Sequence, residues 1–428
     1  MALKRNRYHA NVLFPRPVPA ARDVEFRPWR PGTWVLLFVG AAVLGLVLGI
    51  GISLGFQRGP LAPYEYHLWR WEADNVLQIA FARVGIGLDP SEAEGQHAIA
   101  QYFALTSQLR VATAAENPDL ATIDKLTAER DEYTNTVESI FEKHIDEAVT
   151  AEGLQHNMPL FSGISMTWPP PAFKLTSPPQ LLVRSPRNII KRDGDTLLKP
   201  GLSLRDAEKI ESETDTKDEV SLVVPIGGLA AYPAIVNDDR SYDSLLDTSA
   251  HEWTHHYLAF FPLGEQWGKG GDAETLNETT ANIAGREIAN LIRKAHPLSL
   301  PAGQDGNPPA GVAKPVTVDF NKEMHALRLH VDELLKAGKI DEAETAMRDE
   351  RDFLAQHGIN IREINQAYFA FYGTYGDSAA SSNPVGPKIE HVWDLTKDVG
   401  LFLTNMREVK NVADLDATIA RLEAAQRK

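Results

Sequence analysis

The pentapeptide His251-Glu-Trp-Thr-His255 constrains this chain more than any other stretch. Histidines four residues apart share one face of an α-helix, whereas on a strand they would stand about 13 Å apart. The spacing predicts a helix whose two imidazoles can reach one cation. Glu252 then lies about 100° around that helix, where its carboxylate can take a proton from a water at the cation. Three fixed positions also occur by chance on buried helices, so the rest of a site must come from neighbouring sequence.

The chain of 428 residues has no cysteine. Disulfides, thiolate metal sites, cysteine nucleophiles and thiol-linked lipids are therefore excluded. A metal centre has to use histidine and carboxylate. The net charge is −15, yet residues 1–31 carry seven Lys or Arg against two acids. The body is thus more acidic than the whole, which argues against nucleic acid as a partner.

Residues 34–56 are apolar and uncharged, long enough to cross a hydrocarbon core that needs about 20 residues. Residues 32–57 are expected to form a single transmembrane anchor behind a basic tail, 1–31. The positive-inside rule places that tail in the cytoplasm and the body outside it, in a periplasmic or extracellular space. A cleaved signal peptide ending near Ser53-Leu54-Gly55 is the alternative, but its apolar core would span only roughly 7–15 residues. The pairs Gly45/Gly49 and Gly51/Gly55 give a small-xxx-small spacing that could join two copies as a homodimer.

The body reads as α+β and mostly helical. Residues 62–158 have helical spacing, with Pro90-Ser91-Glu92 opening one segment, and suit a scaffold. Residues 159–296 hold short extended runs at 181–184 and 189–198. A longer run at 220–236 contains Pro225 and Pro233 and is expected to be one edge strand. Around Gly227 to Ala231 it could align an extended peptide, or it could simply be a sheet edge before the helix. A helix over 239–261 follows, capped by Asn237-Asp238-Asp239 and ended by Pro262 and Gly264. After a Gly-rich loop, a second helix spans 272–295. Residues 297–316 suit a linker, and 317–428 a C-terminal helical domain with a loop at 373–387.

The second helix offers a third ligand. Catalytic zinc takes three protein ligands and keeps one position open, and Glu274 and Glu278 lie one turn apart. The string Asn277-Glu278-Thr-Thr-Ala281-Asn282-Ile-Ala-Gly285 resembles the third-ligand helix of the gluzincins, the zinc-peptidase clan that includes thermolysin and neprilysin. The resemblance covers about residues 220–295. It implies a zincin-like catalytic domain, Zn²⁺ on His251, His255 and Glu278, Glu252 as general base, and a peptide or protein substrate. Asn282 stands where the family has Asp, so the resemblance implies an uncharged partner for His251 and a weaker imidazole donor.

Glu274 is the alternative ligand, since eighteen residues separate it from His255, as in the clan's aminopeptidases. No glutamate that would grip a free amine precedes the motif, which favours endopeptidase action. The clan stabilises its oxyanion with a downstream Tyr or His, making Tyr372 and Tyr375 candidates, although such aromatic stripes also build cores. His256 is expected to be structural and Asp247 to be polar helix surface. Two other readings stay open: an inactive zincin-fold scaffold, and a metallohydrolase acting on something other than peptides.

Overall fold

The helices begin and end where local chemistry dictates. The structure, a computed structural model, describes residues 59, 61–81, 90–158, 161–307 and 318–427. A short helix, α1 (Leu68–Phe81), precedes α2 (Glu92–Thr113) and α3 (Leu120–Ala151). Ser91 caps α2 in a reciprocal capping box with Glu94, and Asp119 caps α3 through Ala121 N. The basic tail, the apolar run and its glycine pairs lie outside the described residues. Among those described, no helix is long and apolar enough to cross a membrane.

Three small sheets follow. A hairpin pairs β1 (His156–Met158) with β2 (Phe161–Met166). In the second sheet β4 (Gln180–Pro186) lies antiparallel between β5 (Asp195–Leu198) and β6 (Glu219–Pro225). Alternation along β4 sends Leu181 and Val183 into one core and Leu182 into another, against Ile210 of α4 (Leu204–Thr214). The third sheet has the order β3 (Phe173–Leu175), β8 (Ala234–Val236), β7 (Gly228–Leu229), with β3 parallel and β7 antiparallel to β8.

Residues 220–236 are therefore not one strand. They supply β6 at the edge of one sheet, then β7 and β8 at the edge and centre of another. The break falls at Pro225 to Gly227, because proline cannot continue a ladder as donor. Of the edge strands that line the cleft, β7 is the one that crosses Glu252.

Helix α5 (Tyr242–Leu258) begins later than expected. Its cap is Ser241, whose side chain accepts from Ser244 N. Asp238 and Asp239 are instead bound to Arg130 at 2.5 Å and Arg110 at 2.7 Å, so their carboxylates are unavailable as caps. Helix α6 (Asp272–Ala295) has its expected bounds. A Cβ on Gly285 would come within 2.7 Å of His251 N, so the absence of a side chain there lets α6 cross α5 at the His251–His255 pentapeptide.

The C-terminal helices are α7 (Phe320–Lys336), α8 (Ile340–Gln356), α9 (Gln366–Tyr372), α10 (Val385–Thr396), α11 (Val399–Met406) and α12 (Val412–Gln426). The fold is thus α+β and mostly helical. Residues from all three expected segments, 62–158, 159–296 and 317–428, meet in the main core. Phe103 and Phe141 join Trp253 and Ile288, and Ile389 and Phe402 close the other side. Burial at about 1.5–3 kcal/mol per large side chain makes these layers a common support for α5 and α6. A second core packs β4 and β6 against α7, α8 and α9. Within 297–316 the part up to 307 is tied down, with Asp305 O accepting from Tyr242 N at 2.9 Å and Ser107 Oγ from Gly306 N at 3.0 Å.

Candidate metal centre

Helix α5 has two working faces. Trp253 is fully buried on the core side and donates its Nε1 hydrogen to Pro169 O at 3.1 Å. That anchor turns His251, Glu252 and His255 toward a cleft of about 930 Å³. The two Nε2 atoms stand 2.9 Å apart, and Glu278 Oε2 reaches from α6 to 3.6 Å from His251 Nε2 and 3.5 Å from His255 Nε2. Tetrahedral ligands about 2.0–2.1 Å from zinc are separated by roughly 3.3 Å. The three protein atoms already stand close to that spacing.

Two asparagines set which ring nitrogens carry protons. Asn277 donates Nδ2 to Leu263 O at 3.2 Å, which leaves its Oδ1 to accept from His255 Nδ1 at 2.9 Å. Asn282 likewise donates Nδ2 to Asp377 Oδ1 at 3.2 Å and hydrogen-bonds the His251 ring through its other end. With the outer nitrogens acting as donors, both Nε2 atoms present lone pairs. With both rings neutral, two lone pairs and a carboxylate converge with no donor among them. A divalent cation satisfies all three.

The electrostatics follow from this crowding. Burial pushes the Glu278 carboxyl up, but when the two imidazoles carry a proton their charges and hydrogen bonds outweigh it and hold it far below the usual range. For His251, burial acts downward and is outweighed by Glu278 and Glu252, so it is raised. Glu252 is raised, chiefly by burial, against the pull of the two histidines. A Cβ at Gly228 would collide with the Glu252 carboxyl. Strand β7 therefore runs directly over the expected base.

No protein-family model, curated protein or solved structure matches this chain.

Glu274 lies outside the converging set. It pairs with Arg192, which also binds Asp195 at 2.5 Å. Burial, opposed by Arg192 and reinforced by Glu278 and Asp195, brings Glu274 up to about 7. Tyr375 is brought to the metal side, with its ring 6.5 Å from that of His251. Its loop is fixed by a hydrogen bond from Gly376 N to Thr279 Oγ1 at 2.8 Å, next to Glu278. Tyr372 lines the same cleft but packs at a 45° tilt against Tyr368, 4.5 Å between ring centres. His256 points away and bonds Ala231 O at 2.6 Å, with burial driving it down to about 4, so it stays neutral and holds the sheet to α5. Asp247 lines the cleft and pairs with Arg293 at 2.5 Å.

Several contributors carry no local signal in the sequence. Trp267, from the Gly-rich loop, meets the His255 ring edge-on at 4.4 Å and stays half exposed at the rim. Asp377 places a charge behind the neutral Asn282, from a loop 95 residues away. A carboxylate one bond further out thus polarises the Asn282 amide. Asp377→Asn should weaken binding of a divalent cation such as Zn²⁺ at the three converging groups about 10- to 100-fold. Competition against a chromophoric chelator measures this, and an unchanged affinity would show that the Asn282 amide acts alone.

A second His/Glu group joins Glu92, His144 and His296. The two rings are stacked, 3.6 Å between centres and 12° between planes. Lone pairs in parallel planes do not meet at one ion. Glu92 instead faces His144 Nε2 at 3.0 Å and His296 Nδ1 at 3.3 Å, tying the end of α6 to α2 and α3.

Proposed function

We propose that this protein is a zinc-dependent peptidase of the gluzincin kind, with Zn²⁺ held by His251, His255 and Glu278. One observation carries the reading: two imidazoles and a carboxylate converge beside a buried glutamate, under a strand at the edge of its sheet. When bound, zinc supplies a more acidic water and a polarised carbonyl. Glu252 is placed to take the proton of the attacking water and pass it to the leaving amine. Strand β7 has β8 on one side only, so an extended peptide can add along its other side and lie across Glu252.

Tyr375 supports the same chemistry. Burial, with the charges of Glu278 and Glu252, raises its phenol well above the usual value. It therefore keeps its proton and can donate to the carbonyl oxygen as negative charge develops there. Tyr375→Phe should lower kcat roughly 10²- to 10³-fold with KM and zinc content unchanged. Steady-state kinetics with parallel metal analysis checks this; equal kcat values would remove Tyr375 from the reaction.

The reading as a whole is tested on purified protein with a mixture of unstructured synthetic peptides, followed by mass spectrometry. Cleavage should stop after chelation and return with one equivalent of Zn²⁺. A protein that holds zinc and leaves every peptide intact would overturn the peptidase reading.

A further inference from the structure

Among the described residues three arginines line the cleft, and two of them are ion-paired. Arg192 is held by Asp195 and Glu274, and Arg286 lies near Glu287 and Asp377. Arg240 differs. Its Nε is buried without a hydrogen-bond partner, and among the described residues no carboxylate pairs with its guanidinium. The adjacent acids do not help, because Asp238 and Asp239 face the α2–α3 layer and are bound to Arg130 and Arg110.

The backbone places this cation beside the substrate edge. Arg240 lies between β8 and α5, and its Nη2 comes within 3.7 Å of where a Cβ on Gly227 would stand. The next residue, Gly228, is the one pressed against Glu252. Consecutive residues of one edge segment thus abut Arg240 and the expected base. A strand advances about 3.3 Å per residue, so a group touching Arg240 belongs one or two residues from the bond lying over Glu252.

An arginine fork with no internal acid is complementary to a carboxylate, which it binds through two parallel hydrogen bonds. We infer that Arg240 is a specificity-determining residue that takes a carboxylate of the peptide, one or two residues from the scissile bond. This rests on the peptidase reading for its substrate class, although binding to Arg240 can be measured without cleavage. The carboxylate has two sources, an Asp or Glu side chain or a free chain terminus.

The test uses zinc-loaded Glu252→Gln protein and affinity selection from N-acetylated pentapeptides, each made as free acid and as C-terminal amide. Peptides with a carboxylate should be enriched ~10- to 100-fold over neutral amides. Adding Arg240→Gln should abolish the enrichment, and Arg240→Lys should restore part of it. If the terminus is the source, amidation removes enrichment; if a side chain is, only Asp→Asn or Glu→Gln in the peptide does. Enrichment that is absent, or that survives Arg240→Gln because zinc itself binds the carboxylate, overturns the inference. Cleavage of the same pentapeptides by the unsubstituted protein reports separately on the peptidase reading.

Discussion

Glu252→Gln is expected to lower kcat for peptide cleavage by roughly 10²- to 10⁴-fold, the range of a lost general base. Gln is nearly isosteric with Glu and keeps the contact beneath Gly228, so the fold and the metal ligands should be undisturbed. Zinc content should remain one per chain. Because neither His251, His255 nor Glu278 is altered, the variant separates proton transfer from metal binding. Equal cleavage by the two proteins, with zinc bound in both, would exclude Glu252 as the base.

The second large effect concerns the third ligand. Glu278→Ala should reduce zinc affinity well beyond the 10- to 100-fold loss typical of a supporting partner, and peptide cleavage should fall with it. Glu278 Oε2 lies 3.6 and 3.5 Å from the two Nε2 atoms, and its removal leaves two neutral imidazoles without a charge to hold the cation. Glu274→Ala should retain stoichiometric zinc, since that carboxylate is engaged by Arg192. Metal analysis after gel filtration gives both answers. Full occupancy in the Glu278 variant together with loss in the Glu274 variant would reverse the assignment.

Much of the scaffold around the site was legible from local patterns. The expected bounds of the second helix, 272–295, match α6, and Ser91 opens α2 as its sequence implies. Such signals are legible because caps and helical periodicity act over three or four residues. Expectation failed where a side chain had a distant competitor. Asp238 and Asp239 looked like caps for α5, but Arg130 and Arg110 claim them from another layer. The run 220–236 looked continuous because its apolar character is continuous, yet its parts belong to two sheets.

Helical periodicity of 3.6 residues is enough to dictate that one helix presents His251, Glu252 and His255 together. The sequence by itself also determined that any metal ligands must be histidine and carboxylate, because the chain has no cysteine. It left Glu274 and Glu278 as rivals one turn apart. Only the tertiary structure gave each a different neighbour, an arginine for one and two imidazoles for the other. The tertiary structure also set Asp377 behind Asn282, Tyr375 beside Glu278, and at the strand edge an Arg240 that no carboxylate pairs among the described residues. Spacing along the chain carries no information about those contacts. They are fixed by how shared cores pack α5, α6 and the C-terminal loop against one another.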